Sequence, residues 1–168
     1  MTDTATLFKK LNLGAHRGIH ILNSPPSFRP HIEALGRMNV QVRSGPKSPV
    51  RFALAFATTQ VELDAVSLRL VVAAQDDAVL WISYPKGTSK RYRCDFNRDS
   101  GWRVLGAAGF EPVRMVAIDE DWTALRFRRV EHIKSMTRDA SRTHSRKGHR
   151  KAQLTLTRKP RQDRVTRS

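Results

Sequence analysis

The sequence predicts an α/β domain on a small, doubly wound, mostly parallel Rossmann-like sheet of about six strands, ending in an antiparallel hairpin. Three observations support this. Strand-like apolar runs alternate with helical patterns, the run at residues 51–57 is almost continuously apolar, and the last two runs are separated by a short connection. We place this domain at residues 1–130 and a basic tail at residues 131–168.

The first part of the domain is predicted to contain two short strands around a helix. Residues 18–22 form an apolar strand that two prolines end, because proline cannot donate to a strand ladder. A helix over residues 28–36 stops at a glycine, and a brief strand follows over residues 40–42. Residues 44–49 form a loop by composition.

The apolar run at residues 51–57 is the best candidate for a central strand, since both faces of such a strand are covered. Thr58 or Thr59 can cap the helix that follows, and this helix is predicted to end near residues 75–77. Residues 78–84 then form the next strand.

The last part of the domain begins with a polar stretch, followed by a predicted helix over residues 99–108. Two strands, residues 113–118 and 124–129, are joined by residues 119–123, and so short a connection joins antiparallel neighbours. A short helix over residues 131–140 and disorder beyond residue 143 are predicted for the tail.

Composition limits the class of protein. Cys94 is the only cysteine, which excludes an internal disulfide and a cysteine-based zinc site and indicates a cytoplasmic protein. No apolar segment reaches the length of a membrane span or of a secretion signal, so no membrane partner is expected.

The formal net charge of +16 is concentrated toward the C-terminus, where residues 131–168 hold 12 basic and three acidic residues. Such a tail attracts polyanions in a salt-dependent manner, but it contains no aromatic residue on which bases could stack. Nonspecific nucleic-acid binding and a solubilising extension are equally good interpretations. The nucleic-acid candidates are Arg142, Arg146, Lys147, Arg150, Lys151, Arg158, Lys159 and Arg161.

Three separated segments resemble one bacterial family. They are VLWISYPK at residues 79–86, DFNRD at residues 95–99 and VAIDEDWTALRF at residues 116–127. In order and spacing they are similar to the family called domain of unknown function 3052, over roughly residues 7–130. The resemblance implies a small Rossmann-like domain similar to a shortened methyltransferase fold, and it brings no known activity with it.

Ligands of open α/β sheets bind beyond the carboxyl ends of the strands, so polar residues that follow each strand are the ligand-binding candidates. They are Asn23, Ser24, Thr58, Tyr84, Lys86, Ser89 and Lys90, with Thr59 beside them. The loop at residues 85–90 is expected near the switch point of the sheet, where its lysines could hold a phosphate or carboxylate. Its alternative interpretation is an ordinary solvated loop.

The turn after the first strand argues against a nucleotide or S-adenosylmethionine cofactor. Such a ligand normally needs a glycine-rich turn with free amides, whereas Asn23 and Ser24 are followed here by Pro25 and Pro26. The sequence therefore predicts no cofactor.

No other cluster predicts catalysis. The acidic residues 119–121 favour a polar turn, with Trp122 packing across the sheet edge. The histidines lack metal-ligand spacing and the serines lack a hydrolase elbow. Cys94 is the one candidate nucleophile, since helix amides, Arg91 and Arg93 could lower its pKa, although a small loop residue is the simpler interpretation.

These observations favour a non-enzymatic Rossmann-like module that binds a small molecule or a protein partner. Two alternatives stay open: a nucleic-acid-associated protein that acts through its tail, and a degenerate S-adenosylmethionine-dependent methyltransferase-like enzyme.

Overall fold

The structure is a computed structural model that describes residues 3–45 and 49–133. Its helices lie on both sides of one six-stranded sheet. The helices are α1 (Thr4–Lys10), α2 (Arg29–Arg37), α3 (Gln60–Ala73) and α4 (Arg103–Ala107), with 3-10 turns at Pro26–Phe28 and Val130–His132. The strands are β1 (Gly18–Leu22), β2 (Gln41–Arg43), β3 (Val50–Phe56), β4 (Ala74–Pro85), β5 (Phe110–Ala117) and β6 (Trp122–Arg129).

The strand order is β2-β1-β3-β4-β6-β5. The first four strands in this order are parallel, whereas β6 is antiparallel to both β4 and β5. The order reverses between β1 and β3, which makes the gap between their carboxyl ends the switch point of the sheet. The predicted doubly wound, mostly parallel fold with a C-terminal hairpin is confirmed.

The core lies in two layers, one on each face of the sheet. On one face α3 and α4 contribute Leu63, Val66 and Leu105 against β3 and β4. On the other face α1 and α2 contribute Phe8 and Leu35. Within the described residues, no helix is long and apolar enough to cross a membrane.

Helix α1 was not predicted, although its cap and its apolar spacing are both present in the sequence. The Asp3 side chain accepts a hydrogen bond from the Thr6 backbone, and Leu7 and Phe8 are buried. The Trp81 indole N–H donates to the Leu11 carbonyl at 2.8 Å, which fixes this helix on the central strands.

Other boundaries also differ from prediction. The strand predicted at 78–84 begins at Ala74, and the strand predicted at 113–118 begins at Phe110. The helix predicted to reach residues 75–77 ends at Ala73, because β4 begins at Ala74 by pairing with Val50. The helix predicted from residue 99 begins only at Arg103, since Gly101 lies at φ +95°, where no helix continues. The start of the helix predicted at 131–140 is part of the 3-10 turn Val130–His132. Residues 134–168, which include the rest of that helix and the nucleic-acid candidates, lie outside the described residues.

Candidate ligand-binding cleft

The carboxyl end of β4 opens into a cleft of about 800 Å³. The chain leaves the sheet at Pro85 and turns back on itself before α4, so the cleft lies between the end of the strand and this loop. The residues that line it are Tyr84, Pro85, Lys86, Gly87, Ser89, Lys90, Tyr92, Arg93, Cys94, Asp95, Phe96 and Asn97.

The structure brings four of the seven ligand-binding candidates together in this cleft: Tyr84, Lys86, Ser89 and Lys90. The other three follow β1 and β3 and do not line it. The prediction that residues 85–90 lie near the switch point is wrong, because β3 separates the end of β4 from β1. The sequence could not place this loop because strand order arises from long-range pairing.

A hydrogen-bonded anchor holds the loop against the β5–β6 turn. The Ser89 hydroxyl donates to Asp121 Oδ1 at 2.8 Å, and the Lys86 backbone N–H donates to the Asp121 carbonyl at 2.8 Å. Ser89 Oγ also accepts from the backbone N–H groups of Arg91 and Tyr92. Ser89, a predicted ligand contact, therefore already has a structural role.

Two groups of packed aromatic rings, one on each face of the sheet, border the cleft. The Tyr84 ring lies 5.6 Å from both Phe96 and Trp102, measured between ring centroids. Tyr92 packs against Trp122 at 4.9 Å, and it is only partly buried. Trp122 itself is buried under Phe56, between β4 and β5 rather than across an outer edge of the sheet. Each group is ordered because its own rings contact one another.

The first turn of α3 is occupied by the chain's own carboxylates. Asp95 accepts from the Gln60 backbone N–H at 2.6 Å, and Glu62 accepts from the backbone of Thr58 and Thr59. Glu62 also accepts from the Thr58 hydroxyl at 2.8 Å. These hydrogen bonds hold the pKa of Glu62 below its ordinary value. Thr58 is thus engaged in a helix cap.

The cations of the cleft have no such partners. The side chains of Lys86, Lys90 and Arg93 make no ion pair and no hydrogen bond with any other described residue. Burial raises the pKa of Tyr84 to about 12, so its phenol stays protonated and serves as a hydrogen-bond donor. The cleft therefore presents positive charge and a neutral donor together.

Cys94 does not have the lowered pKa that its basic neighbours suggested. Burial raises the pKa of the thiol, and the neighbouring Asp95 carboxylate adds to this rise, whereas a hydrogen bond with the Phe96 backbone opposes it. Desolvation is the largest cause, because a thiolate that is partly buried loses hydration. The thiol is a poor nucleophile near neutral pH.

The turn after β1 has a backbone that does not suit an adenosyl cofactor. Asn23 lies in the left-handed region at φ +58°, and Pro25 and Pro26 carry no N–H. The Phe28 N–H is already used by the Pro25 carbonyl at 2.9 Å. Because two of these residues have no N–H and the Phe28 N–H is already hydrogen-bonded, this turn does not fit the set of free backbone amides that phosphate or adenosyl groups require.

At the β5–β6 turn, an acidic side chain accepts hydrogen bonds from backbone N–H groups of the turn itself. Asp119 Oδ1 accepts from the backbone N–H groups of Asp121 and Trp122, each at 2.8 Å. No group of three or more His, Cys, Asp or Glu side chains within residues 3–45 and 49–133 is arranged to hold a metal ion. These carboxylates build a polar turn.

Sequence reasoning missed Tyr92, Arg93, Asp95 and Phe96 as cleft residues. They lie in the polar stretch between β4 and α4, which carries no periodic pattern. The residues DFNRD at 95–99 resembled a family segment that opens a helix, but the structure uses them to return the chain to α3. The signal that could have found them is the combination of Lys, Arg and Tyr in one loop.

Fold and cleft together define a Rossmann-like α/β domain with a basic, aromatic-walled cleft beyond its fourth strand. Neither a protein-family model nor a curated protein matches the chain. Its fold is similar to that of a SAM-dependent methyltransferase from Aquifex aeolicus, with a TM-score of 0.53 and 12% sequence identity, over 75% of this chain and 89% of that one. At this identity the likeness shows the fold alone.

Two further solved structures are similar over 75% of this chain, both with a TM-score of 0.48. One is the N-methyltransferase NodS from Bradyrhizobium japonicum WM9, with 12% identity and 93% of its own chain covered. The other is magnesium protoporphyrin IX methyltransferase from Synechocystis PCC 6803, with 14% identity and 76% of its own chain covered.

Proposed function

We propose that this domain is a binding module that takes a small anionic ligand with a planar ring into the cleft beyond β4. The observation that supports this proposal most strongly is the convergence of Lys86, Lys90 and Arg93 on one cleft without any carboxylate paired to them. A phosphate or carboxylate group is the chemical complement of these cations. Membership of the domain of unknown function 3052 family remains part of the same prediction.

The anionic end of the ligand would lie between the cations and the Tyr84 phenol. Asp95 lines the same cleft, but its Oδ1 already accepts a hydrogen bond from the Gln60 N–H at the first turn of α3. The Tyr84 hydroxyl makes no hydrogen bond within the described part of the chain and stays protonated, so it can donate to an oxyanion.

The ring of the ligand would pack against Tyr92. Tyr92 is a partly buried ring of the cleft lining and packs against Trp122 on one face of the sheet. A planar ring gains contact area there at little cost in side-chain entropy, since Tyr92 is already ordered by its packing on Trp122.

The lining residues favour binding over group transfer. A transfer site needs a nucleophile or base matched to its operating pH. Here the Cys94 thiol and the Tyr84 phenol both have raised pKa values, and no histidine lines the cleft. We therefore propose recognition of the ligand as the role of this site.

The test is a calorimetric titration of the full chain with phenyl phosphate, with phenol and inorganic phosphate as half-ligands. A ligand of this size is expected to bind with a dissociation constant on the order of millimolar. Both half-ligands should bind at least about threefold more weakly, because each lacks one set of contacts.

One cleft substitution and two control substitutions locate the binding. Lys90→Gln should weaken phenyl phosphate binding several-fold, whereas Lys9→Gln on α1 and Lys151→Gln in the tail should not change it. An equal loss for all three variants would mean that net charge alone attracts the anion, and would contradict the proposal. S-adenosylmethionine is titrated in parallel. If it binds more tightly than phenyl phosphate and Lys90→Gln does not change its affinity, the methyltransferase-like alternative is favoured instead.

A further inference from the structure

Helix α3 carries an apolar stripe on its outer face, defined by Val61, Ala65, Leu68 and Val72. All four are exposed, and the three larger side chains are 79%, 56% and 85% accessible to solvent. The spacing of four, three and four residues places them in one line along the helix. Single exposed apolar residues are ordinary on protein surfaces, but a continuous line of them indicates an interaction surface.

This stripe is separate from the face by which α3 binds the sheet. The buried residues of the helix are Leu63, Val66, Ser67, Leu70 and Ala73. They pack on β3 and β4, so the apolar stripe contributes nothing to the core of this domain. Because a helix that is apolar all round is normally buried, a helix that is apolar on two sides is expected to pack against a second partner.

We propose that the partner is a second copy of this chain, with the two α3 helices packed antiparallel about a two-fold axis. The stripe has the spacing of the a and d positions of a heptad, with Val61 and Leu68 at d and Ala65 and Val72 at a. In antiparallel packing Val61 meets the partner subunit's Val72, and Ala65 meets the partner subunit's Leu68. The stripe is thus complementary to itself, as an isologous two-fold interface requires.

The charges beside the stripe fit the same arrangement. Glu62 and Arg69 occupy the two positions just after the d residues, and in an antiparallel pair these positions face each other across the interface. Glu62 would therefore pair with the partner subunit's Arg69, twice by symmetry. Arg69 makes no ion pair or hydrogen bond with any described residue, and the helix cap engages only one oxygen of Glu62, Oε1.

The interface is small, which sets the strength of the dimer. The stripe spans 11 residues, or about 16 Å of helix at about 1.5 Å per residue. A contact of this length buries less than a stable obligate dimer does, so we expect a dissociation constant on the order of 100 μM. This inference does not depend on the proposed ligand, since the stripe and the cleft share no residues.

The test is sedimentation of the full chain between about 10 μM and 1 mM in buffer that contains moderate salt. The mass should rise from the 19.1 kDa of one chain toward twice that value. Leu68→Lys should raise the dissociation constant at least tenfold, whereas Met38→Lys changes an exposed apolar residue away from the stripe and should leave it unchanged. A wild-type chain that stays at 19.1 kDa throughout would overturn the proposal.

Cross-linking tests the antiparallel geometry. In a Cys94→Ser background, chains with Val61→Cys are mixed with chains with Val72→Cys and treated with a short bismaleimide. Cross-linked dimers should form in the mixture but not in either variant alone, because identical positions lie about 16 Å apart along the axis. Efficient cross-linking of Val61→Cys alone would indicate parallel helices and contradict the proposed arrangement.

Discussion

The Asp95 carboxylate accepts a 2.6 Å hydrogen bond from the backbone N–H of Gln60, which ties the cleft loop to the first turn of α3. The two residues are 35 positions apart in the sequence. The carboxylate also lies at the positive end of the helix dipole, where a negative charge is stabilising.

Replacing Asp95 with alanine is expected to lower the free energy of unfolding by about 1 kcal/mol, because an α3 backbone donor loses its partner. Urea denaturation followed by circular dichroism measures this change. Asp99→Ala is the matched control, since Asp99 is exposed and its carboxylate makes only a 3.9 Å contact with Arg98. Equal effects of the two substitutions would contradict the anchoring role of Asp95.

Gly101 is predicted to tolerate no side chain. It lies at φ +95°, and a Cβ there would meet Gln60 Oε1 at 2.6 Å and Phe96 Cβ at 2.9 Å. Gly101→Ala should lower the unfolding free energy by about 2 to 4 kcal/mol, from backbone strain and overpacking. Gly36→Ala in α2 meets nothing within 4 Å and should be neutral or stabilising by up to about 1 kcal/mol. Similar thermal melts for both variants would be evidence against this geometry.

The central strands and the start of α4 show what the sequence could and could not predict. The strands around Val79 and Phe52 were recognisable because apolar runs of this length are typical of covered strands. The late start of α4 was not, because it depends on the backbone of Gly101, whose carbonyl accepts a 2.8 Å hydrogen bond from the Gln60 side chain, 41 positions away in the sequence. Local propensity therefore located the elements, and tertiary contacts set where they begin.

The candidate site divides in the same way. Polar residues after strands could be identified from topology alone, and Tyr84 and Lys86 were found by that rule. Thr58 also follows a strand, but its hydroxyl and backbone N–H both donate to the Glu62 carboxylate. The position of the cleft depends on how the loop after β4 folds back over the end of the strand. Arg93 lines the cleft because of this loop conformation, and no sequence motif marks it.

The ion pair between Asp77 and Arg128 should make stability depend on pH. Arg128 Nη2 lies 2.6 Å from Asp77 Oδ2, and this hydrogen-bonded contact holds the pKa of Asp77 below its ordinary value of 3.8. The ion pair contributes fully to the free energy of unfolding above pH 3.8, and this contribution is lost as the pH falls through the lower pKa that Asp77 has in the folded state. Because both side chains are about one-third exposed, we expect only about 0.5 to 1 kcal/mol at neutral pH.

Asp77→Asn tests this ion pair by urea denaturation at pH 7 and pH 3. The difference in stability between wild type and variant should narrow at the lower pH, because wild-type Asp77 is then losing its charge. Asp76→Asn is the control, since asparagine also tolerates the φ of +54° at that position. A difference that is constant over this range would show that the charge of Asp77 does not matter.

Cys94 should react slowly with alkylating agents. Burial raises the pKa of its thiol, so the reactive thiolate is scarcer at pH 8 than in an unfolded chain. Iodoacetamide modification followed by mass spectrometry should be several-fold slower in the native protein than in urea. Modification that is faster in the native protein would mean an activated cysteine and would reopen a catalytic role for the cleft.

The most direct test of the proposed function is an NMR titration of the ¹⁵N-labelled full chain with phenyl phosphate, read at the backbone amides. The account predicts shifts concentrated on residues 84–97, and little change at residues 23–28 after β1. Lys90→Gln should reduce the shifts and Lys9→Gln should not. Shifts confined to residues 23–28, or shifts that the cleft variant leaves intact, would contradict a ligand site beyond β4.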